Sequence, residues 1–75
     1  MKIQLFGVLS DTMKKKEILI PDVKNTVSLK EKIRKEFPQL GNQSFVIAVN
    51  KKAAIGNINL ASGDTIALIP PFAGG

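Results

Sequence analysis

The sequence predicts an α+β domain in which a mixed sheet of four to five strands wraps around one helix. Two observations predict it: only one segment has the period of a helix, and short apolar segments with the period of strands stand on both sides of it. A single helix covers only one face of a sheet, so the sheet must curl around it to enclose a core. The 75 residues, 44% of them hydrophobic, are enough for one such domain.

Two strands are predicted before the helix. The segment KIQLFGV, Lys2 to Val8, alternates apolar and polar side chains, which is the pattern of a half-buried strand. The segment EILIP, Glu17 to Pro21, repeats that pattern, and Pro21 with Asp22 ends it. The polar stretch from Ser10 to Lys16 is predicted to be the connection between the two strands.

The helix is predicted in NTVSLKEKIRKEFPQLG. Leu29, Ile33 and Phe37 recur every four residues with charged residues between them, which indicates an amphipathic helix with one buried face. Pro38 and Gly41 are expected to end it.

Two residues compete for the N-cap of this helix. Ser28 followed by Glu31 has the spacing of a capping box. Thr26, two residues earlier, is also a residue type that caps helices. Both positions stay open at this stage.

The second half of the chain supplies the remaining strands. The segment FVIAVN, Phe45 to Asn50, is apolar enough to need at least one buried face. A short strand is possible in the irregular stretch from Ala53 to Leu60. Gly63 and Asp64 are expected to form the turn into a last strand, Thr65 to Ile69.

This order of elements is that of the β-grasp architecture. If the first and last strands pair in parallel at the centre of the sheet, the C-terminus leaves the sheet from its middle. The residues expected to face the helix, together with the helix residues that meet them, are Ile3, Leu5, Ile18, Ile20, Phe45, Ile47, Val49, Ile66, Leu68, Leu29, Ile33 and Phe37.

The composition argues against an enzyme that works alone. The chain has no cysteine and no histidine, which removes the commonest nucleophile, the commonest general base and the softest metal ligands. No stretch approaches the roughly 18 apolar residues of a membrane span, and the N-terminus lacks the pattern of a signal peptide. We therefore expect a cytoplasmic protein without a membrane partner.

The net charge of +5 raises the question of nucleic acid binding. The lysines are scattered, in the run Lys14 to Lys16, along Lys30 to Lys35, and at Lys51 and Lys52. The chain has no Tyr or Trp and only four Phe that could stack on bases. Nucleic acid is therefore not expected as a partner, and the lysines are either solvated surface or a means of steering toward an acidic protein.

The chain ends in IPPFAGG, where Pro70 and Pro71 follow the last strand. Prolines cannot donate to a sheet and have a fixed φ, so the chain is expected to leave as a stiff segment. We predict a β-grasp domain over residues 1–69 and an extended tail over 70–75, with a flexible Gly-Gly end.

A β-grasp body of this length that ends in GDTIALIPPFAGG resembles the MoaD family of ubiquitin-like sulfur carriers, the small subunit of molybdopterin synthase. The resemblance covers the whole chain in element order and is most specific from Gly63 to Gly75. It implies that the terminal carboxylate is adenylated by a ubiquitin-activating-like enzyme, at the cost of ATP, and takes sulfur from a persulfide donor to become a thiocarboxylate. The tail then enters the large synthase subunit, in a complex with two copies of each chain, to build the dithiolene of molybdopterin.

The resemblance assigns a role to each residue of the tail. Gly75 carries the sulfur, and Gly74 with Phe72 and Ala73 forms the inserted segment. No cofactor is bound stably by the carrier itself. Two glycines suit a narrow channel because they have no side chain and few backbone restrictions.

The surface that meets the partner is predicted to include Phe6, Ile69, Pro70 and Pro71 beside Phe72 and Ala73. If Ile3 and Leu5 face the helix, strand alternation puts Phe6 on the opposite face near Ala67 and Ile69. The alternative is a change of parity near Gly7 that turns Phe6 into the core.

Other functions stay open at this stage. The carrier could serve the thiamin pathway or tRNA thiolation, where the same tail chemistry is used. It could also be a ubiquitin-like modifier joined to lysines of other proteins, or a regulatory module whose tail does no chemistry.

Overall fold

The computed structural model describes residues 1–41 and 43–71, and within them the chain forms five strands and three helices. The elements are β1 (Lys2–Leu5), α1 (Val8–Met13), β2 (Glu17–Leu19), α2 (Thr26–Glu36), α3 (Pro38–Gly41), β3 (Val46–Val49), β4 (Lys52–Ala53) and β5 (Ile66–Ile69). The predicted order of strands around one long helix is confirmed.

The five strands form one mixed sheet in the order β2-β1-β5-β3-β4. β1 and β5 are parallel at its centre, with Ile3 beside Ile66 and Leu5 beside Leu68. The remaining pairs, β1 with β2, β3 with β5 and β3 with β4, are antiparallel. The β-grasp prediction is therefore confirmed, including the central parallel pair from which the C-terminal segment leaves.

One core lies between the sheet and the helices. The predicted core residues are buried except for two, since Val49 and Phe37 are only partly buried against it. Phe37 lies just outside α2, as its C-cap, and therefore does not continue the buried helix face. The described core side chains are Ile3, Leu5, Leu9, Ile18, Ile20, Leu29, Ile33, Leu40, Phe45, Ile47, Ile66 and Leu68.

Two short helices were not expected from the sequence. The prediction that the first strand runs to Val8 is wrong, because β1 ends at Leu5 and the next residues turn into α1. α3 continues the chain after Phe37, where Pro38 was expected to end helical structure. Each of these helices supplies one fully buried leucine to the core, Leu9 from α1 and Leu40 from α3.

The N-cap of α2 is neither of the residues predicted. Asn25 caps the helix, and its side-chain oxygen accepts a hydrogen bond from the Ser28 amide at 2.8 Å. Thr26 is buried instead, and its hydroxyl accepts from the Ile58 amide at 2.9 Å and donates to the Gly56 carbonyl at 3.2 Å. Because these two hydrogen bonds occupy the Thr26 side chain, Asn25 takes the N-cap position.

Hydrogen bonds to the side chains of Asp64 and Asn50 stabilise the turn into β5. Asp64 accepts from the Ala61 amide at 2.7 Å and from the Asn50 side-chain amide at 3.0 Å. Asn50 in turn accepts from the Thr65 amide at 2.9 Å. Gly63, with a φ of +90°, completes the turn that the sequence predicted. The end of β3 is thus tied to the start of β5.

These bonds predict a pH dependence. The Ala61 amide, with a smaller effect from Asn50, lowers the pKa of Asp64 below its ordinary value. A lowered pKa stabilises the fold above the unfolded-state pKa, and that stabilisation disappears as the pH falls through the folded-state pKa. We expect Asp64→Asn to melt below the wild type at about pH 7, and we expect this difference to disappear as the pH falls through the folded-state pKa of Asp64. A constant difference in melting temperature across that range would contradict this role of the charge.

Candidate docking face and C-terminal tail

The chain leaves the sheet from its central strand. Ile69, the last residue of β5, pairs with Val46 of β3. Pro70 and Pro71 follow without strand structure, as predicted. The structure does not describe four of the predicted tail residues, Phe72, Ala73, Gly74 and Gly75. Their predicted roles, and the flexibility expected of the Gly-Gly end, therefore stay predictions. The domain boundary after Ile69 also stays a prediction.

The sheet has a second face, which we call the open face, formed by the side chains that alternate with the core residues. The core side chains that the helices contribute, Leu9, Leu29, Ile33 and Leu40, belong to the core and not to this face. Small side chains occupy its centre, since Ala48 and Ala67 face each other across β3 and β5. Phe6, Leu19 and Val46 are large apolar residues that this face leaves exposed. By the strand registers, the open face comprises Lys2, Gln4, Glu17, Leu19, Val46, Ala48, Ala53, Ala67 and Ile69. Phe6 continues the alternation one residue beyond the end of β1.

Phe6 lies on the open face and not in the core. It is 48% exposed, and its amide donates to the Leu68 carbonyl at 3.2 Å, one residue beyond the Leu5–Leu68 pair. That position puts it beside Ile69. Of the two arrangements that the sequence allowed, the structure has the one that places Phe6 next to the root of the tail.

A shallow groove of about 530 Å³ runs beside Phe6. Gly7, Ser10, Asp11 and Lys16 are among the residues that line it. Lys14, Lys15 and Lys16 are exposed, and Lys16 lines this groove, so positive charge borders the apolar part of the face. An apolar centre with a charged rim is the usual anatomy of a protein interface.

Gly7 is the site residue that the sequence did not indicate. It caps the N-terminus of α1 with a φ of +57°, and a Cβ atom there would lie 2.9 Å from the Cγ of Pro70. The only signal in the sequence is a glycine inside a predicted strand, which is equally typical of a β-bulge. Its contact with Pro70 joins positions far apart in the chain.

Across 1–41 and 43–71 there is no group of three or more acidic, histidine or cysteine side chains that could hold a metal ion. In the same residues, no helix is both long enough and apolar enough to cross a membrane.

Solved structures with the same architecture come from archaea and bacteria. SAMP1 from Haloferax volcanii superposes with a TM-score of 0.77 at 21% identity, over 99% of this chain and 97% of that one. A putative molybdopterin converting factor subunit 1 from Pyrococcus furiosus gives 0.77 at 22% identity, over 95% of both chains. These two similarities show the β-grasp, ubiquitin-like fold.

A third structure is a complex. It contains subunits 1 and 2 of the molybdopterin-converting factor from Helicobacter pylori 26695, and the matching chain has a TM-score of 0.71. The identity is 27%, over 99% of this chain and 96% of that one. In that protein, therefore, a β-grasp chain of this type stands in a complex with a second subunit.

The family model described as the ThiS family matches residues 3–75, which is nearly the whole chain and includes the terminal glycines. The fold, the central strand that leads into Pro-Pro-Phe-Ala-Gly-Gly and this match agree with one another. The chain belongs to the ThiS family and has the fold shared by ThiS- and MoaD-type sulfur carriers and ubiquitin-like modifiers.

Proposed function

We propose that this chain is a sulfur carrier in molybdenum cofactor biosynthesis and the small subunit of a molybdopterin synthase. The observation that carries the proposal is the terminal Gly-Gly on a segment that leaves the centre of the sheet beside an exposed apolar face. Membership of the ThiS family and the similarity to a two-subunit molybdopterin-converting factor support it.

The chemistry requires little of the carrier itself. A carboxylate is a poor electrophile, and its attack on the α-phosphate of ATP releases pyrophosphate and gives a mixed anhydride. A persulfide on the sulfur donor displaces AMP from this anhydride, and a thiol then cleaves the S–S bond to leave a thiocarboxylate on Gly75. The chain has no cysteine, so sulfur cannot be held on a side-chain thiol, and the C-terminus is the position left for it.

The open face suits the large synthase subunit as its partner. Phe6 and Ile69 mark the end of this face from which the tail departs, so one partner can hold the face and take in the tail together. Pro70, Pro71, Phe72 and Ala73 would then line the entry of the tail into that subunit. We propose a complex with two copies of each chain, an activating enzyme of the ubiquitin-activating type and a cytoplasmic location.

A deletion strain tests the pathway. If the carrier serves molybdopterin synthesis, the strain should lose the activities of its molybdenum enzymes and grow without added thiamin. A thiamin requirement with intact molybdenum enzymes would instead assign the carrier to the thiamin pathway. Recovery of the chain joined by isopeptide bonds to other proteins, with both pathways intact, would identify a modifier.

The tail is expected to anchor the complex through its aromatic residue. Phe72→Ala should weaken binding to the large subunit by about 2 to 4 kcal/mol, because an aromatic side chain that fills a partner's pocket often carries much of the affinity. Isothermal titration calorimetry measures this. Val27→Ala, at an exposed valine on α2, is the control and should bind normally. Equal affinity of the Phe72 variant and the wild type would refute the proposal that Phe72 anchors the complex.

The run from Lys14 to Lys16 is expected to accelerate the encounter with an acidic partner. Changing all three lysines to Glu should slow association and reduce its dependence on salt, while dissociation stays nearly the same, because exposed charges act mainly through long-range attraction. Stopped-flow mixing at low and high salt measures both rates.

A matched control changes Lys24, Lys30 and Lys35 to Glu. These lysines are also exposed and the total change in charge is identical, but none of them belongs to the open face or lines the groove beside Phe6. If both triple variants slow association equally, net charge alone is responsible. If neither does, the lysine run is solvated surface.

A further inference from the structure

Gly7 lies at the corner where β1 turns into α1, next to the end of β5. The Phe6 amide, which precedes Gly7, donates to the Leu68 carbonyl at 3.2 Å. The carbonyl of Gly7 itself accepts from the Asp11 amide in α1 at 3.2 Å. Its backbone angles are φ +57° and ψ −134°. Residues with a Cβ atom rarely adopt this conformation, so the corner is built for glycine.

The ring of Pro70 occupies the space that a side chain at position 7 would need. A Cβ atom on Gly7 would lie 2.9 Å from the Cγ and 3.5 Å from the Cδ of Pro70. The first distance is shorter than real Cβ contacts allow. Among the described residues, the other glycines with positive φ, Gly56 and Gly63, have nothing within 4 Å of the same position. Gly7 therefore combines a backbone requirement with a steric one.

The contact falls where the sheet can no longer hold the chain. Ile69 is still paired with Val46, but Pro70 has no N–H with which to continue a ladder. Beyond that pair, the described structure shows one contact that restrains the departing chain: the Pro70 ring packs against Gly7. The five residues after Pro70 can span at most about 17 Å, so the orientation at Pro70 determines which positions Gly75 can reach.

We propose that Gly7 is a positioning residue for the reactive C-terminus: by admitting the Pro70 ring at the end of β5, it fixes the direction in which the tail leaves the open face. This inference rests on the proposed function, because it assumes that Gly75 must enter an adenylating site. Gly7 itself touches no reacting atom. It acts through Pro70 alone.

Gly7→Ala is expected to displace Pro70 and redirect the tail. The body would still present its open face, so KM for the activating enzyme should change little. The turnover number for adenylation should fall by on the order of tenfold to a hundredfold, since displacements near 1 Å at a reacting group have effects of that size. Gly56→Ala is the matched control, because Gly56 has a similar φ of +77° but an open surrounding. It should lower the melting temperature without changing adenylation.

A double-mutant cycle separates the contact from the backbone strain. Pro70→Ala removes the Cγ and Cδ ring contacts and leaves Gly7 intact, so it should itself lower the turnover number. In the Pro70→Ala background, Gly7→Ala should have little further effect on adenylation, although it should still lower stability. Independent, multiplying effects of the two changes on turnover would overturn the proposal. If Gly7→Ala does not fold, Pro70→Ala alone still tests whether loss of the contact lowers the turnover number.

A second readout needs no activating enzyme. Residual dipolar couplings of the Ala73 amide report the mean direction of the tail in the free protein. They should change in Gly7→Ala and Pro70→Ala but not in Gly56→Ala. Unchanged couplings in both of the first two variants would overturn the positioning role even if the wild type is adenylated. Changed couplings in a chain that is never adenylated would support the positioning role and refute the proposed function.

Discussion

A chain that carries one extra alanine after Gly75 is expected to fold with unchanged thermal stability and to lose adenylation. The added residue moves the reactive carboxyl carbon by roughly 3.5 Å along an extended chain. Misplacement of a reacting group by even about 1 Å can reduce a rate on the order of a hundredfold. ATP–pyrophosphate exchange with the activating enzyme measures the adenylation step directly.

The control for this prediction restores the original end. Brief carboxypeptidase treatment that removes the added alanine should return exchange to the wild-type rate. A tail without a chemical role would tolerate the extension, since chain ends usually accept extra residues. Equal exchange by the extended and wild-type chains would therefore refute the role of the Gly75 carboxylate.

Phe6→Asp is expected to abolish most binding to the large subunit while leaving the fold intact. The side chain is already 48% exposed, so a charge there does not enter the core. In the proposed complex, however, the charge would be buried against an apolar partner. Loss of a central aromatic contact typically weakens binding by at least about 2 kcal/mol, or roughly thirtyfold, and burial of an unpaired carboxylate adds to that cost.

Ile55→Asp is the matched control. Ile55 is 86% exposed, more than Phe6, but it does not belong to the open face. The same change of residue type there should leave the affinity unaltered, as measured by calorimetry on both variants. If the two substitutions weaken binding equally, or if neither does, the open face is not the docking surface.

The parts of the fold that the sequence predicted are those with clear periodicity. Leu29 and Ile33 form a buried helical stripe, and the alternation in β1 and β5 placed their core residues correctly. These patterns are local and do not depend on where other elements pack. The same holds for the turn at Gly63 and Asp64, whose residue types favour it.

The errors arise where tertiary contacts decide local structure. α1 spans six residues, too few for a helix to be stable alone, and it packs through Leu9 in the core. Lys14, at its C-cap, has a φ of +56°, which no sequence pattern indicates for a lysine. Asn25 and Thr26 are both good caps, and the hydrogen bonds of the Thr26 hydroxyl to the distant loop decide between them.

The candidate site divides in the same way. The tail could be predicted because its composition, Pro-Pro followed by Gly-Gly, is itself unusual. Phe6 could not be assigned to a face, because that depended on where β1 ends and α1 begins. The contact of Gly7 with Pro70 could not be foreseen, since it joins residues 63 positions apart that meet only when β1 and β5 pair.

The most direct test of a sulfur carrier is the mass of its C-terminal peptide. The wild-type chain is incubated with the activating enzyme, ATP and a persulfide donor, and then fragmented in a mass spectrometer. Oxidation of Met1 or Met13 changes the mass of the whole chain by nearly the same amount as replacement of oxygen by sulfur, so the change must be assigned to a fragment. We predict that one oxygen is replaced by sulfur within residues 72–75, in a reaction that requires ATP. An unchanged C-terminal fragment after complete incubation would contradict the proposal that Gly75 carries sulfur.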